Sequence, residues 1–384
     1  MGIADQSITR RSALLAGATL VGGLGLGTMT REANADPGRS SVHRGREAHL
    51  SLRQQAGQRV IFSYPGPTPP TSLLDMISAG EIGGVIFFGE NITSLDQISG
   101  VVADLKAANA DSPVTAPLLL MTDQEGGLIR RIKPGEPVLS EKQIGASANP
   151  TAAAHDAGIG AAQTLTGVGM NNNLAPVLDV FREAGNFDDQ FQRSYSSDPT
   201  VCADCGAAFI AAQQGQRIAA TAKHFPGLGA ATRAQNTDLT TVTLTQSADE
   251  IRRVDELPFG AAIAAGVDMV MTSWAVYPAL DPRFPAGLSP TIVQGELRRR
   301  LRFRGVTITD ALEAGALAPF GDTGPRAVLA AQAGMDVLLC SARDVTQGTA
   351  AVDAVVGALE QHRLNPGHAR QALRRVLELR HRLG

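Results

Sequence analysis

Eight short, almost uninterrupted apolar runs constrain this chain more than any other feature. They fall at residues 59–64, 84–88, 117–122, 173–177, 219–224, 267–273, 306–310 and 336–340. A strand with one wet face alternates apolar and polar residues. These runs do not alternate, as expected of parallel strands covered on both faces. Most are separated by Ala-, Leu- and Arg-rich stretches of helical length, such as 200–217, 291–302 and 325–333. Eight strand–helix units predict an α/β fold: a (β/α)8 TIM-type barrel forming one catalytic domain over residues 56–384. Two smaller α/β domains are the alternative, but no linker-like stretch divides the chain. The basic amphipathic stretch 369–383 is expected to close the barrel.

The first 35 residues have the pattern of an export signal. Thr9-Arg10-Arg11-Ser12 is a twin-arginine start, an apolar run of small residues follows from Ala13 to Met29, and Ala33-Asn34-Ala35 offers a cleavage site. That run is short and weak for a membrane span. No Phe follows the arginines, so ordinary secretion is the competing route. Residues 36–55 are polar and are expected to form a linker or an edge segment. The expected location is secreted or associated with the cell wall, with no stable membrane insertion after signal removal.

Composition narrows the partners. The net charge is −3 and aromatics are 4% of residues, so neither a basic field nor a stacking platform points to nucleic acid. Three cysteines are too few for a disulfide framework. Cys202 and Cys205 form a C-x-x-C in helical sequence with no second pair or nearby His to complete a zinc site. They are expected as buried thiols or one local disulfide, with Cys340 in the core. No metal or cofactor is implied, and Gly23-Leu24-Gly25-Leu26-Gly27 lies inside the export signal and is not a nucleotide loop.

In such a barrel the chemistry sits at the C-terminal ends of the strands. The third run ends at Asp123, with Arg130 and Arg131 beyond. The fifth delivers Lys223-His224 to a Pro-Gly turn, and the seventh ends at Asp310. A single acid at a strand end is commonly the cap of the next helix. Asp123, Lys223-His224 and Asp310 on one face are harder to obtain by capping.

These residues resemble glycoside hydrolase family 3, in its single-domain bacterial β-N-acetylhexosaminidase branch. The resemblance runs from Gly57 to Gly384. It is carried by Gly83-Gly84-Val85-Ile86-Phe87-Phe88, by Asp123-Gln124-Glu125-Gly126-Gly127 with Arg131, and by Asn173-Leu174-Ala175-Pro176-Val177-Leu178-Asp179-Val180. Arg193-Ser194-Tyr195 before Asp198-Pro199, Lys223-His224-Phe225-Pro226-Gly227 and Gly305-Val306-Thr307-Ile308-Thr309-Asp310 follow in the family's order. The resemblance implies a retaining mechanism with Asp310 as nucleophile. It also implies that Asp123, Arg131, Arg193, Lys223 and His224 bind the sugar. A carboxylate near cationic Lys and Arg is expected to stay ionised and attack the anomeric carbon. The expected substrate is terminal β-linked N-acetylglucosamine, from peptidoglycan-derived fragments.

The chain departs from the family at the proton donor. Its bacterial relatives follow the Lys-His motif with a loop carrying a His oriented by an Asp. Here position 228 is Leu, and no His occurs between His224 and His362. Asp238, the one acid between Gly227 and Leu244, is the candidate acid/base; a turn-capping role is the alternative. After Asp310 the family's Asp-Asp-Leu-x-Met becomes Asp310-Ala311-Leu312-Glu313-Ala314, which removes an apolar wall contact. The competing functions are a β-glucosidase, a glycoside phosphorylase in which Arg233 helps to hold phosphate, and an inactive barrel that binds wall glycan.

Overall fold

A computed structural model describes residues 50–384. The export signal and most of the 36–55 segment lie outside the described residues. Ser51 caps the first described helix, α1 (Leu52–Gly57), and Arg53 ties it to Glu81 at 2.7 Å and to Asp353.

The eight apolar runs form eight parallel strands, and the sheet closes. They are β1 (Val60–Phe62), β2 (Gly84–Phe87), β3 (Leu119–Thr122), β4 (Asn172–Asn173), β5 (Ala219–Phe225), β6 (Met269–Thr272), β7 (Val306–Ala311) and β8 (Val337–Leu339). Closure is visible at β1: Phe62 is in register with Val85 of β2, and Ile61 with Leu339 of β8. Side chains alternate between two cores. Ile86, Leu119, Met121, Ile308 and Leu339 point into the barrel, whereas Val85, Phe87 and Leu120 pack outward in the layer shared with the helices. Both layers exclude water, so the runs carry no polar alternation.

β4 is the exception in register. The expected 173–177 strand is paired as a strand over Asn172–Asn173, with Val177 bridging Lys223 further along. Pro176 lies between and has no N–H to donate. The edge continues through its carbonyls: Thr221 N donates to Ala175 O at 2.9 Å and Lys223 N to Pro176 O at 3.1 Å.

The helices begin on their own caps. Ser94, Asn149, Asp198 and Asp344 each accept a backbone N–H at the start of the helices Leu95–Ala110, Pro150–Gly167, Pro199–Gly215 and Val345–Glu360. All three cysteines are free and buried, so the Cys202–Cys205 disulfide is not formed. Burial pushes both of those thiols up to about 12.

The C-terminal helix, α2 (Pro366–Leu383), closes the barrel at the N-terminal ends of the strands. Val376 and Leu379 enter the interior core. Arg380 is fully buried beside them. It donates to Ala116 O at 2.9 Å, to Pro117 O and to Gln58 Oε1. Replacing it strands buried acceptors, each a loss of order 1–3 kcal/mol. Arg380→Met is therefore expected to lower the unfolding free energy by roughly 2–4 kcal/mol in chemical denaturation; an unchanged value would show that the plug does not depend on this guanidinium.

Candidate active site

A cavity of about 280 Å³ opens at the C-terminal ends of the strands, and Asp123, Arg131, Arg193, Lys223, His224, Asp238 and Asp310 all line it. Every residue expected from the sequence to act in the site is therefore brought to one place. The volume is at the lower end for ligand sites, which run to about 300–1,000 Å³, and suits one sugar ring. The helix caps lie elsewhere, so Asp123 and Asp310 are not spent on capping.

Beneath the cavity is a nearly dry charge network. Lys223 is 2% exposed; its Nζ lies 2.8 Å from Asp123 Oδ1 and 2.7 Å from Glu125 Oε1. Arg193 grips Glu125 with two bonds of 2.9 Å and reaches Asp188 at 3.4 Å. Arg131 stands 3.5 Å from Asp123. Burial alone would raise the Asp123 carboxyl, but the Lys223 ammonium, with Arg131 and Arg193, holds it well below the usual range. Burial would likewise lower Lys223, and the two carboxylates raise it instead. Glu125 is as central as Asp123. It stands in the same Asp-Gln-Glu-Gly-Gly run, which was the signal available for it.

His224 is held by a residue that the sequence reading left without a role. Asp179, at the end of the fourth run, faces His224 Nδ1 with Oδ2 at 2.7 Å, and its Oδ1 accepts Leu228 N at 2.6 Å. Burial alone would lower the imidazole; the Asp179 carboxylate overcomes this and raises it. Nearby Asp188 is fully buried, and its Oδ2 has no partner. Burial, and then the charge of Asp179, push that carboxyl up to about 7. Asp179, Asp188 and His224 have ligand atoms within 4.8 Å of one another. The short His224–Asp179 hydrogen bond already engages two of the three.

The Pro226-Gly227 turn follows. Gly227 has φ +141°, and a Cβ there would lie 2.6 Å from the Asp255 side chain. The Lys223–His224 and Phe225–Pro226 peptide bonds are both cis.

Asp310 is half-buried at the end of β7, and its Oδ1 accepts Ala311 N at 2.7 Å. Lys223, Arg193 and Arg131 line the same cavity. Among the described residues no Lys or Arg forms an ion pair with Asp310, because Lys223, Arg193 and Arg131 are engaged by Asp123, Glu125 and Asp188. The charge of Asp310 adds, after that of Asp179, to what raises the His224 imidazole.

Asp238 is exposed at the rim. Desolvation at the cavity wall, and then the charge of Asp310, raise its carboxyl above the ordinary value. The loop that bears it is latched to the β7 exit. Gly315 N donates to Asp238 O at 2.8 Å and Ala316 N to Thr237 O at 3.0 Å. A Cβ at Gly315 would sit 2.3 Å from Leu239 O, so a glycine is required for the approach. Arg233 is exposed and does not line the cavity. Ala311 forms part of the wall, and Phe88, Phe187 and Phe191 supply apolar surface at the rim.

Comparison with known proteins agrees with this geometry. A sequence profile for the glycosyl hydrolase family 3 N terminal domain matches residues 52–379. The chain is 47% identical over 336 residues to a protein of Arthroderma benhamiae named an uncharacterized secreted glycosyl hydrolase; the match covers 87% of this chain and 94% of that one. A β-hexosaminidase of Stenotrophomonas maltophilia is 35% identical over 274 residues, 69% of this chain and 78% of the relative. Two solved structures share the fold. A β-N-acetylhexosaminidase of Beutenbergia cavernae superposes with a TM-score of 0.79 at 34% identity, covering 87% of this chain and 99% of that one. A β-N-acetylglucosaminidase of a Paenibacillus species gives 0.81 at 32% identity; 87% of this chain is covered, which spans 63% of that longer protein.

The latch is testable. Gly315→Ala is expected to displace the Asp238 loop and to lower kcat/KM on an aryl N-acetylglucosaminide roughly 10–100-fold, since misplacement by about 1 Å is enough for such a loss. Wild-type kcat/KM in a folded variant would show that the loop's position is immaterial.

Proposed function

Because the chain belongs to glycosyl hydrolase family 3, we propose that it is an exported retaining glycosidase that removes terminal β-linked N-acetylglucosamine. The observation that carries this is the pairing of Asp310 and Asp238 in one small cavity, neither of them tied to a cation, above a sugar-sized set of charged donors and acceptors. The relatives named β-hexosaminidase support the aminosugar preference. The Thr9–Ala35 pattern and the secreted relative support export, and with it a substrate derived from peptidoglycan.

In the first step an Asp310 oxygen attacks the anomeric carbon. The bond to the leaving oxygen breaks, and Asp238 gives that oxygen its proton. In the second, Asp238 takes a proton from water, the water oxygen attacks the same carbon, and the glycosyl ester to Asp310 breaks. Two carboxyls that act in this way stand about 5–5.5 Å apart in the working state. Asp123, Arg131, Arg193, Lys223 and His224 hold the ring. Their charge-assisted hydrogen bonds to hydroxyls are stronger than neutral ones, and those that tighten as charge develops speed the reaction. Asp179 fixes the His224 ring by accepting its Nδ1–H, which leaves Nε2 as the other polar atom of the imidazole.

A raised carboxyl pKa suits an acid that must be protonated before it acts. Asp238 carries its proton below that pKa, so kcat/KM is expected to fall as pH rises through it. Asp238→Asn is expected to remove this alkaline limb. It should also lower turnover of poor leaving groups by about 10²–10⁴-fold, while a dinitrophenyl N-acetylglucosaminide, whose leaving group needs no proton, is affected far less in its first step. An unchanged pH profile and wild-type turnover of the poor leaving group would remove Asp238 from the mechanism. In the same assay the matching β-glucoside should be the weaker substrate.

A further inference from the structure

The other end of the barrel carries a second recess, unrelated to the catalytic mouth. It has a volume of about 700 Å³. Its walls are one side of the helical segment Thr291–Arg300 along its length, the C-terminal turn of Thr323–Ala333 and the first turns of α2. Arg59, Arg298, Arg299, Arg363, Arg375 and His368 all line it, and no Asp or Glu does among the described residues.

One carboxylate stands behind these cations. Buried Asp336 takes Arg298 at 2.5 Å and Arg375 at 2.6 Å. Arg59 is 4% exposed and gives its hydrogen bonds to the Met335 and Asp336 carbonyls at 2.8 and 3.0 Å. Those neutral acceptors leave its charge unbalanced. Arg299 and Arg363 are exposed, and neither has an ion-pair partner among the described residues. Five guanidiniums thus face one carboxylate, in a chain whose net charge is −3. The local field is opposite in sign to that of the molecule as a whole, so general solubility does not account for it.

Guanidinium forks match phosphate oxygens in pairs, with a fit that an ammonium lacks. The recess is far larger than one phosphate ion. No Phe, Tyr or Trp lines it among the described residues, so it lacks the broad aromatic platforms on which bases stack. We propose that this basal recess binds a phosphodiester-linked polyol polymer, an anionic chain without bases, which engages the protein at the end opposite its catalytic mouth. The strand N-termini reach this end: Arg59 precedes β1 and Asp336 precedes β8. A polymer seated here leaves the cavity at the strand C-termini open to substrate. The inference does not depend on the glycosidase assignment.

The test is titration of the full chain with poly(glycerol phosphate), followed by calorimetry at several salt concentrations. Orthophosphate, poly-glutamate and single-stranded DNA are run in parallel. Saturable binding to the polymer is expected, with affinity falling as salt rises because counterions are released. Arg299→Ser with Arg363→Ser should weaken it at least tenfold and reduce the log–log salt slope by about two. The Lys double variant, which keeps the charge, should retain intermediate affinity. Hydrolysis of an aryl glycoside should be unchanged in both, which also reports that they fold. The proposal fails if the polymer does not bind, if the Ser pair binds as well as wild type, or if poly-glutamate or DNA binds equally well. Orthophosphate binding as tightly as the polymer would also overturn it, by reducing the site to a small-anion pocket.

Discussion

Everything at the mouth of this barrel rests on the exchange of charge between Lys223, Asp123, Glu125 and Arg193. Two cations and two carboxylates are packed where water scarcely reaches, at separations of 2.7–2.9 Å. Each charge is tolerable there because the next one offsets it; removing a partner from such a set leaves an unpaired buried ion, which is strongly destabilising. The network also decides what remains for chemistry. By engaging the cations it leaves Asp310 and Asp238 without an ion pair among the described residues, facing the same volume, with His224 oriented by Asp179 beside them.

In the proposed reaction the floor positions the sugar, and bonds change at Asp310 on the end of β7 and at Asp238 on the rim loop. The floor is built by β3, β5 and the segment after β4, whose side chains are locked by packing and by one another. The rim is built by loops. The loop that bears Asp238 is held at the β7 exit by a glycine at 315 and two backbone hydrogen bonds, while its Leu228, Ala231 and Val242 pack into the core. A family whose bacterial members place a His–Asp pair on this loop here presents one carboxyl, raised by desolvation and by a second acid. In the proposed mechanism the proton therefore belongs to a group whose acidity is tuned by its neighbours and not by its intrinsic value.

The barrel was legible in the sequence because burial on both faces leaves an unmistakable apolar run, and all eight strands fall within or beside those runs. β4 was misplaced by a few residues because Pro176 interrupts pairing without interrupting hydrophobicity. Of the cavity-lining residues, Asp123, Lys223, His224 and Asp310 were legible as polar ends of apolar runs. Glu125 was missed although adjacent to them, since nothing in one sequence says which acid of Asp123-Gln124-Glu125 turns inward. Asp179 was missed because its role exists only once β4 and β5 lie side by side. The cations expected to flank Asp310 are present but face other carboxylates, a matter of side-chain direction that residue order does not encode. The basal arginines come from four separate stretches and form no motif; only the fold gathers them.

The central claim is that the carboxylate at 310 becomes bonded to the sugar. A fluorinated N-acetylglucosaminyl fluoride, whose ring fluorine slows release of the intermediate, tests it directly when the trapped protein is digested and its peptides weighed. The account predicts one glycosyl adduct, on the peptide containing Asp310 and absent from Asp310→Ala. An adduct on another residue, or steady turnover by Asp310→Ala at the wild-type rate, would contradict it.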